Sequence, residues 1–392
     1  MIESSQMTEA EAPLTYGMVG GGEGAFIGDV HRKAIALDGK AALACGCFST
    51  DPQNTLRTGI ALGLDQQRLY ATFEEMAVEE GKRENKIDFV VIVTPNFTHY
   101  AIAKAFLENN INVVCDKPFT VTSAQSRELK ELAEEKALSL CVTYTYTGYP
   151  VAKHARLMIE NGDLGEIRFV NAEYPQDWLS TRLEETGQKQ AGWRSDPDKS
   201  GASNCVGDIG SHIENMVSYM TNLKITKLSA RLDTTVAGRK LDDNATIMVD
   251  YEGGARGVYW CSQIAVGNDN GLRVRIFGSK ASIEWAQENP NYLKISYLEK
   301  PTEIISRGRD ALYPGADAYS RIPSGHPEGY FEAFANIYKA FISFIMKKRN
   351  GSEILPEDLD FPKAAEGEQG VTFIEKCVES SEKNSAWIDM DH

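Results

Sequence analysis

Over its first third the chain alternates short apolar runs with stretches of helical spacing. Leu14–Val19, Ala41–Phe48, Ile87–Thr94, Ile111–Cys115 and Leu138–Thr145 are short, mostly apolar and bounded by turn residues. That pattern predicts strands buried on both faces. Val30–Leu37, Pro52–Leu62, Phe73–Glu80, Thr98–Asn109 and Ser123–Lys136 lie between them and carry helical spacing. Strand–helix alternation of this kind predicts a doubly wound parallel α/β sheet. From Pro150 the pattern changes. Pro150–Asn161 reads as an amphipathic helix ended by Gly162 and followed by a strand at Leu164–Tyr174. Lys227–Val236, Ala245–Tyr251, Ala255–Ile264, Leu272–Phe277, Ser282–Gln287 and Tyr292–Leu298 then alternate polar and apolar positions. They read as antiparallel strands of a sheet with one face packed and the other free. Glu328–Met346 and a stretch near Lys363–Glu379 are predicted helices. The expected organisation is a disordered tail at 1–13, one domain over 14–147 and a second over 148–392.

Composition narrows the partners. The chain has 392 residues, enough for two cores, and 41 basic residues against 56 acidic ones, a net charge of −15. This excess of acid argues against nucleic acid or an anionic membrane surface, but leaves room for a small anion held by backbone amides. No apolar run reaches the ~18 residues of a membrane span. Met1–Pro13 lacks the basic-then-apolar build of a signal peptide. Seven scattered cysteines form no CxxC or Cys/His cluster. Buried free thiols in a reducing cytoplasm, with no metal site, are expected.

The first strand runs into Gly20-Gly21-Gly22-Glu23-Gly24-Ala25-Phe26-Ile27-Gly28. Gly20-x-Gly22-x-x-Ala25 matches the dinucleotide fingerprint, in which backbone N–H groups at a helix start receive a pyrophosphate. Phe26 and Ile27 lengthen the turn before Gly28, which leaves the individual phosphate contacts open. At the end of the second strand, where NAD sites usually place an acid, stand Ser49 and Thr50. Asp51 reads as an N-cap before Pro52, and Arg57 is the nearest cation. The choice between NAD and NADP stays open. Thr94-Pro95-Asn96, with His99, and Asp116-Lys117 fall at carboxyl ends of later strands, where ligands bind in open α/β sheets. For His99 a packed histidine at a helix start is an equal alternative.

Further on, Asp208 and His212 stand four apart at a predicted helix start, an arrangement that puts both on one face as an acid/base pair. The plainer alternative is an acid at the positive end of a helix dipole and a packed histidine. Two long irregular stretches, Tyr174–Ser203 and Glu299–Glu328, have the length of lids or binding loops. Tyr149, Trp178, Trp193, Arg194 and His326 combine aromatic faces with hydrogen-bonding groups, which suits a polyol. Any one of these aromatics, taken singly, would also serve to cover a core edge.

Together the glycine turn, Thr94-Pro95-Asn96, Asp116-Lys117-Pro118 and Asp208…His212 resemble the glucose–fructose oxidoreductase / inositol dehydrogenase / MocA family of sugar dehydrogenases. The resemblance covers about residues 14 to 385, with Asp116 where the family has Glu. It implies a Rossmann domain followed by an α+β domain with a large open sheet. It also implies a catalytic set of Lys117, Asp208 and His212, and a homodimer or homotetramer formed through that sheet. The expected reaction is oxidation of a secondary alcohol on a sugar, sugar derivative or inositol. In that reaction His212 takes the hydroxyl proton, Asp208 orients the imidazole and Lys117 stabilises charge on the oxygen. A nucleotide-sensing regulatory protein of the same fold and an NAD-dependent glycosidase are the alternatives.

Overall fold

The computed structural model describes residues 12–390. Residues 1–11 of the expected disordered tail lie outside the described residues.

The first domain carries strands β1 (Leu14–Gly20), β2 (Ala41–Cys47), β3 (Phe89–Val93), β4 (Asn112–Cys115) and β5 (Leu140–Val142). They form a parallel sheet in the order β2-β1-β3-β4-β5. The connecting helices are α1 (Phe26–Ala36), α2 (Pro52–Ala61), α3 (Phe73–Lys82), α4 (Asn96–Glu108) and α5 (Ser123–Glu135). Local chemistry sets several starts. Asp51, Thr72 and Thr122 cap α2, α3 and α5 through side-chain oxygens, and Pro52 occupies the first turn of α2.

The second domain opens with α6 (Pro150–Glu160) and β6 (Ile167–Pro175), followed by the short helices α7 (Lys189–Arg194) and α8 (Pro197–Ser200) and then α9 (Ser211–Thr221). Strands β7 (Ile225–Asp233), β8 (Asn244–Tyr251), β9 (Arg256–Ser262), β10 (Arg273–Gly278), β11 (Ala281–Ala286), β12 (Tyr292–Tyr297) and β13 (Glu303–Ser306) come next. The chain closes with α10 (Pro314–Asp317), α11 (Tyr330–Asn350), α12 (Ala364–Glu382) and β14 (Ile388–Asp389). Among the described residues the sheet order is β13-β12-β11-β10-β6-β9-β8-β7-β14. Only the β6–β9 pairing is parallel.

Period-two alternation explains why one face of this sheet is covered. Val170, Ala172 and Tyr174 of β6, with Ala245, Ile247 and Val249 of β8, turn inward onto α6, α9 and α12. Phe169, Met248 and Phe277 turn outward and stay exposed.

Three features depart from the sequence pattern. Phe26 and Ile27 form the first turn of α1 and do not extend the glycine turn. The irregular stretches contain α7, α8, β13 and α10, all too short for a periodicity to register. Finally, α11 folds back onto the first domain. Its Phe334, Ile337, Tyr338 and Phe341 share a core with Leu14, Tyr16, Phe89 and Val91 of the parallel sheet and Val30 and Ile35 of α1.

Candidate active site

Glycine conformation builds the nucleotide end. Gly20 and Gly21 take φ of +84° and +70°, values that disfavour other residues. A Cβ on Gly28 would lie 2.4 Å from the Cα of Gly21, so bare glycines let α1 close against the turn. The close-packing position of the fingerprint is therefore Gly28; Ala25 is the N-cap of α1 and offers no side-chain cap. The first-turn N–H groups are left for an anion. Gly22 N–H donates to the Phe48 carbonyl at 3.1 Å, and Glu23 N–H lies on Asn54 Oδ1 and Thr58 Oγ1 at 3.1 and 3.0 Å. These ties hold the turn against the end of β2. The cradle fits a dinucleotide pyrophosphate.

At the end of β2, Ser49 accepts from Asp51 N–H at 3.1 Å and Thr50 is exposed. Arg57 is engaged by Glu23 at 3.0 Å on the surface. Thr94 and Pro95 lead into α4, which starts without a side-chain cap, while buried Asn96 donates to the Ser200 carbonyl at 3.3 Å. His99, expected among the cofactor residues, is fully buried with its ring nitrogens 3.0 Å from the Pro118 carbonyl and 2.8 Å from the Thr94 carbonyl. It fastens two strand-end turns together and offers no free nitrogen to a ligand. Asp116 meets His31 Nε2 at 3.1 Å and accepts from Thr143 Oγ1 at 2.5 Å. Burial alone would raise its carboxyl; His31 and Thr143 outweigh burial and hold it below the usual carboxylate range.

Lys117 and Asp208 come together from different domains. Lys117 Nζ donates to Asp208 Oδ1 at 3.0 Å and to the Asp208 carbonyl. The other carboxylate oxygen takes Gln263 Nε2 at 3.0 Å and faces Arg194 Nε at 3.3 Å. Burial opposes this charge, but Arg194 and Lys117 outweigh it and hold the carboxyl far below its ordinary value. Asp208 is therefore an ionised clamp on Lys117. It makes no hydrogen bond to His212 among the described residues and acts on that ring only through its charge.

The local backbone explains why no bond forms. Val206–Gly210 is a π-turn leading into α9, so Asp208 and His212 are not one α-helical turn apart on a common face. Asp242 anchors this turn, accepting from Asn204 N–H at 2.9 Å and Val206 N–H at 3.1 Å. Asn204 in turn donates to Gln263 Oε1 at 2.7 Å, which fixes the amide that grips Asp208.

His212 is buried against Tyr146, Tyr174 and Tyr144, with ring centroids 4.7, 6.1 and 5.8 Å away. Among the described residues none hydrogen-bonds its ring nitrogens. Burial, reinforced by nearby Lys117, pushes its proton affinity well below that of a free imidazole. The ring is neutral and able to accept a proton.

The expected substrate residues divide into two groups. The Arg194 guanidinium lies 4.3 Å from the Trp193 ring centre and 5.9 Å from that of Trp178, beside Asp208. Tyr149 and His326 instead line a cavity of about 610 Å³ that does not touch Lys117, Asp208 or His212. Between the groups stands Asn270, which sequence reading missed. Its Oδ1 accepts from Tyr174 Oη at 2.5 Å and Gln176 Nε2 at 2.8 Å; its Nδ2 donates to Tyr146 Oη at 3.3 Å and Gln287 Oε1 at 3.1 Å. Gln263 was missed as well. Both amides follow or precede strand ends in loops without a motif, so only the fold brings them to the site.

Comparison with known proteins agrees with this geometry. Residues 14–144 match the model of an oxidoreductase family with an NAD-binding Rossmann fold, and residues 152–284 match the GFO/IDH/MocA C-terminal domain. The chain is 39% identical to the uncharacterized oxidoreductase YfiI of Bacillus subtilis, over 96% of this chain and 97% of that one. It is 26% identical to levoglucosan dehydrogenase of Pseudarthrobacter phenanthrenivorans, over 96% and 98%. An inositol dehydrogenase homologue from Azotobacter vinelandii, solved with NADH and myo-inositol, superposes with a TM-score of 0.90 at 36% identity, covering 96% of this chain and 98% of that one. Both halves of the chain thus carry the same signature, and the protein belongs to the Gfo/Idh/MocA family of NAD-binding oxidoreductases, as a dehydrogenase of the sugar and inositol type.

Proposed function

We propose that this dehydrogenase oxidises a secondary alcohol of a cyclic polyol, either an inositol or a sugar in ring form. One observation carries the reading: a His212 ring that no described residue hydrogen-bonds stands in a tyrosine-walled site beside the Lys117–Asp208 ion pair. Bound NAD, held at the glycine turn and the start of α1, supplies the hydride acceptor. His212 accepts the hydroxyl proton, while Lys117 donates a hydrogen bond to the reacting oxygen and stabilises the charge that develops there. Asp208 holds Lys117 in place, and Gln263 and Arg194 hold Asp208. Trp178 and Trp193 give the C–H faces of a ring flat surfaces to pack on. A pure nucleotide sensor has no need of an unpaired base beside a clamped lysine. The relatives described with myo-inositol and levoglucosan support a ring-shaped polyol.

The same proposal covers the setting. The nucleotide half is 14–147 and the substrate half 148–392. The active form is a homodimer or homotetramer joined through the outer face of the large sheet. The seven buried free thiols suit a reducing cytoplasm. The test is a screen of inositols, monosaccharides and anhydrosugars with NAD and NADP in parallel, reading reduced nicotinamide by absorbance. Reduction by at least one cyclic polyol is expected. Tight NAD binding with no reduction by any compound would overturn the reading.

A further inference from the structure

NAD and NADP differ at one place, the 2′ position of the adenosine ribose. Rossmann proteins read that position beside the end of the second strand, with an acid for the free hydroxyl or an arginine for the phosphate. Here β2 runs out into Ser49 and Thr50, which carry no charge. Their hydroxyls suit a ribose hydroxyl, but on their own they do not turn a phosphate away. The charge at this end of the site comes from the glycine turn.

A Cβ on Gly22 would lie 2.6 Å from Asn54 Oδ1 and 2.8 Å from the Phe48 carbonyl oxygen, so the turn presses directly onto the end of β2 and the start of α2. The next residue, Glu23, is held by α2 on both sides of its backbone. Its N–H lies on Asn54 Oδ1 and Thr58 Oγ1, and its carbonyl accepts from Asn54 Nδ2 at 3.3 Å. From that fixed point its carboxylate accepts from Arg57 Nε at 3.0 Å. Arg57 is the one basic residue in the turn, in β2 or in α2. Both side chains stay more than half exposed, so the pair is open to a nucleotide. A surface ion pair of this kind adds little to stability, and the backbone bonds already tie the turn down. Its charges matter more than its strength. Exposed Asp51 adds a second carboxylate at the same strand end.

We propose that Glu23 selects NAD over NADP in this chain. A 2′-phosphate brought to the end of β2 meets two carboxylates and an arginine whose charge is already matched. Glu23 therefore acts twice, by repelling the phosphate and by withholding the cation that would receive it. A free 2′-hydroxyl meets only neutral hydroxyl and amide groups and is not penalised.

The test is calorimetry of NAD and NADP binding to the full chain with no alcohol present. The unaltered protein should bind NADP about tenfold or more weaker than NAD. Glu23→Gln keeps the side chain's length, removes the repelling charge and frees Arg57. NADP should then tighten by about fivefold or more, while NAD stays within about twofold. Arg57→Ala leaves the carboxylate unmatched and should weaken NADP further. These opposite signs are the signature, because loss of a merely structural pair would weaken both cofactors in both variants. The gain in Glu23→Gln should fade at about 1 M salt, where screening acts over ~3 Å. Equal affinity of the unaltered protein for the two cofactors would overturn the assignment. So would an unchanged NADP affinity in Glu23→Gln, or a shift of NADP affinity in the same direction in both variants. No step of this measurement involves a polyol, so its failure and that of the cyclic-polyol reading are separate.

Discussion

At the scale of single residues, the site rests on opposed environments for two titratable groups. Asp208 is buried yet ionised because Arg194, Lys117 and Gln263 surround its carboxylate. His212 is buried and, among the described residues, has no hydrogen-bond partner, and burial together with Lys117 lowers its proton affinity. The sign has a consequence for rate. A base works when unprotonated, and His212 sheds its proton well below the ordinary imidazole value of 6.5. The kcat/KM for alcohol oxidation should therefore hold level as pH is lowered through 6.5 and fall only in more acid solution. A pH–rate profile with an acid limb centred on 6.5 would contradict this. The two residues were legible in the sequence because Asp-x-x-x-His follows a glycine. Their actual relation was not, because a spacing of four says nothing about whether the turn between them is α or π.

At the scale of elements, most of the fold was readable. Buried strands such as Phe89–Val93 announce themselves as unbroken apolar runs, and β8 alternates cleanly because one face is packed and the other open. What escaped was decided by long-range contact. The role of α11 as a cover for the parallel sheet depends on which surface its apolar stripe meets, and periodicity reveals only that a stripe exists. Asn270 and Gln263 gain their roles only from strand order. Helix α9 also carries a cost two residues past the base. Glu214 is buried, and burial raises its carboxyl to about 7, with Gln369 bonding it and Glu366 nearby. The folded state thus keeps a proton between 4.5 and 7 that the unfolded chain has released, so this group lowers stability as pH rises through that window. Glu214→Gln should raise stability by up to about 3 kcal/mol at pH 8 and leave it unchanged near pH 4. Thermal melts at the two pH values would check it; equal shifts at both would contradict it.

At the scale of the whole molecule, two surfaces matter: the junction that joins Lys117 to Asp208, and the outer face of the large sheet. Phe169 and Phe277 are paired across β6 and β10, Met248 faces Val258 across β8 and β9, and Phe169, Phe277 and Met248 are exposed. Exposed apolar side chains on a broad open sheet suit an interaction surface. A second copy of the chain is the partner the proposal expects. Light scattering should therefore give the mass of a dimer or tetramer, and Phe169→Glu combined with Met248→Glu should reduce it to that of one chain. A wild-type protein that runs as a monomer would contradict the expectation. Among the described residues no helix is long and apolar enough to cross a membrane.

The junction carries the central claim, that His212 from one domain and Lys117 from the other perform the proton chemistry on a polyol. The most direct test is the rate of NADH formation by the His212→Ala protein at saturating NAD and the best cyclic polyol. A loss of about a hundredfold or more is expected, with NAD binding unchanged. A rate near that of the unaltered protein would contradict it.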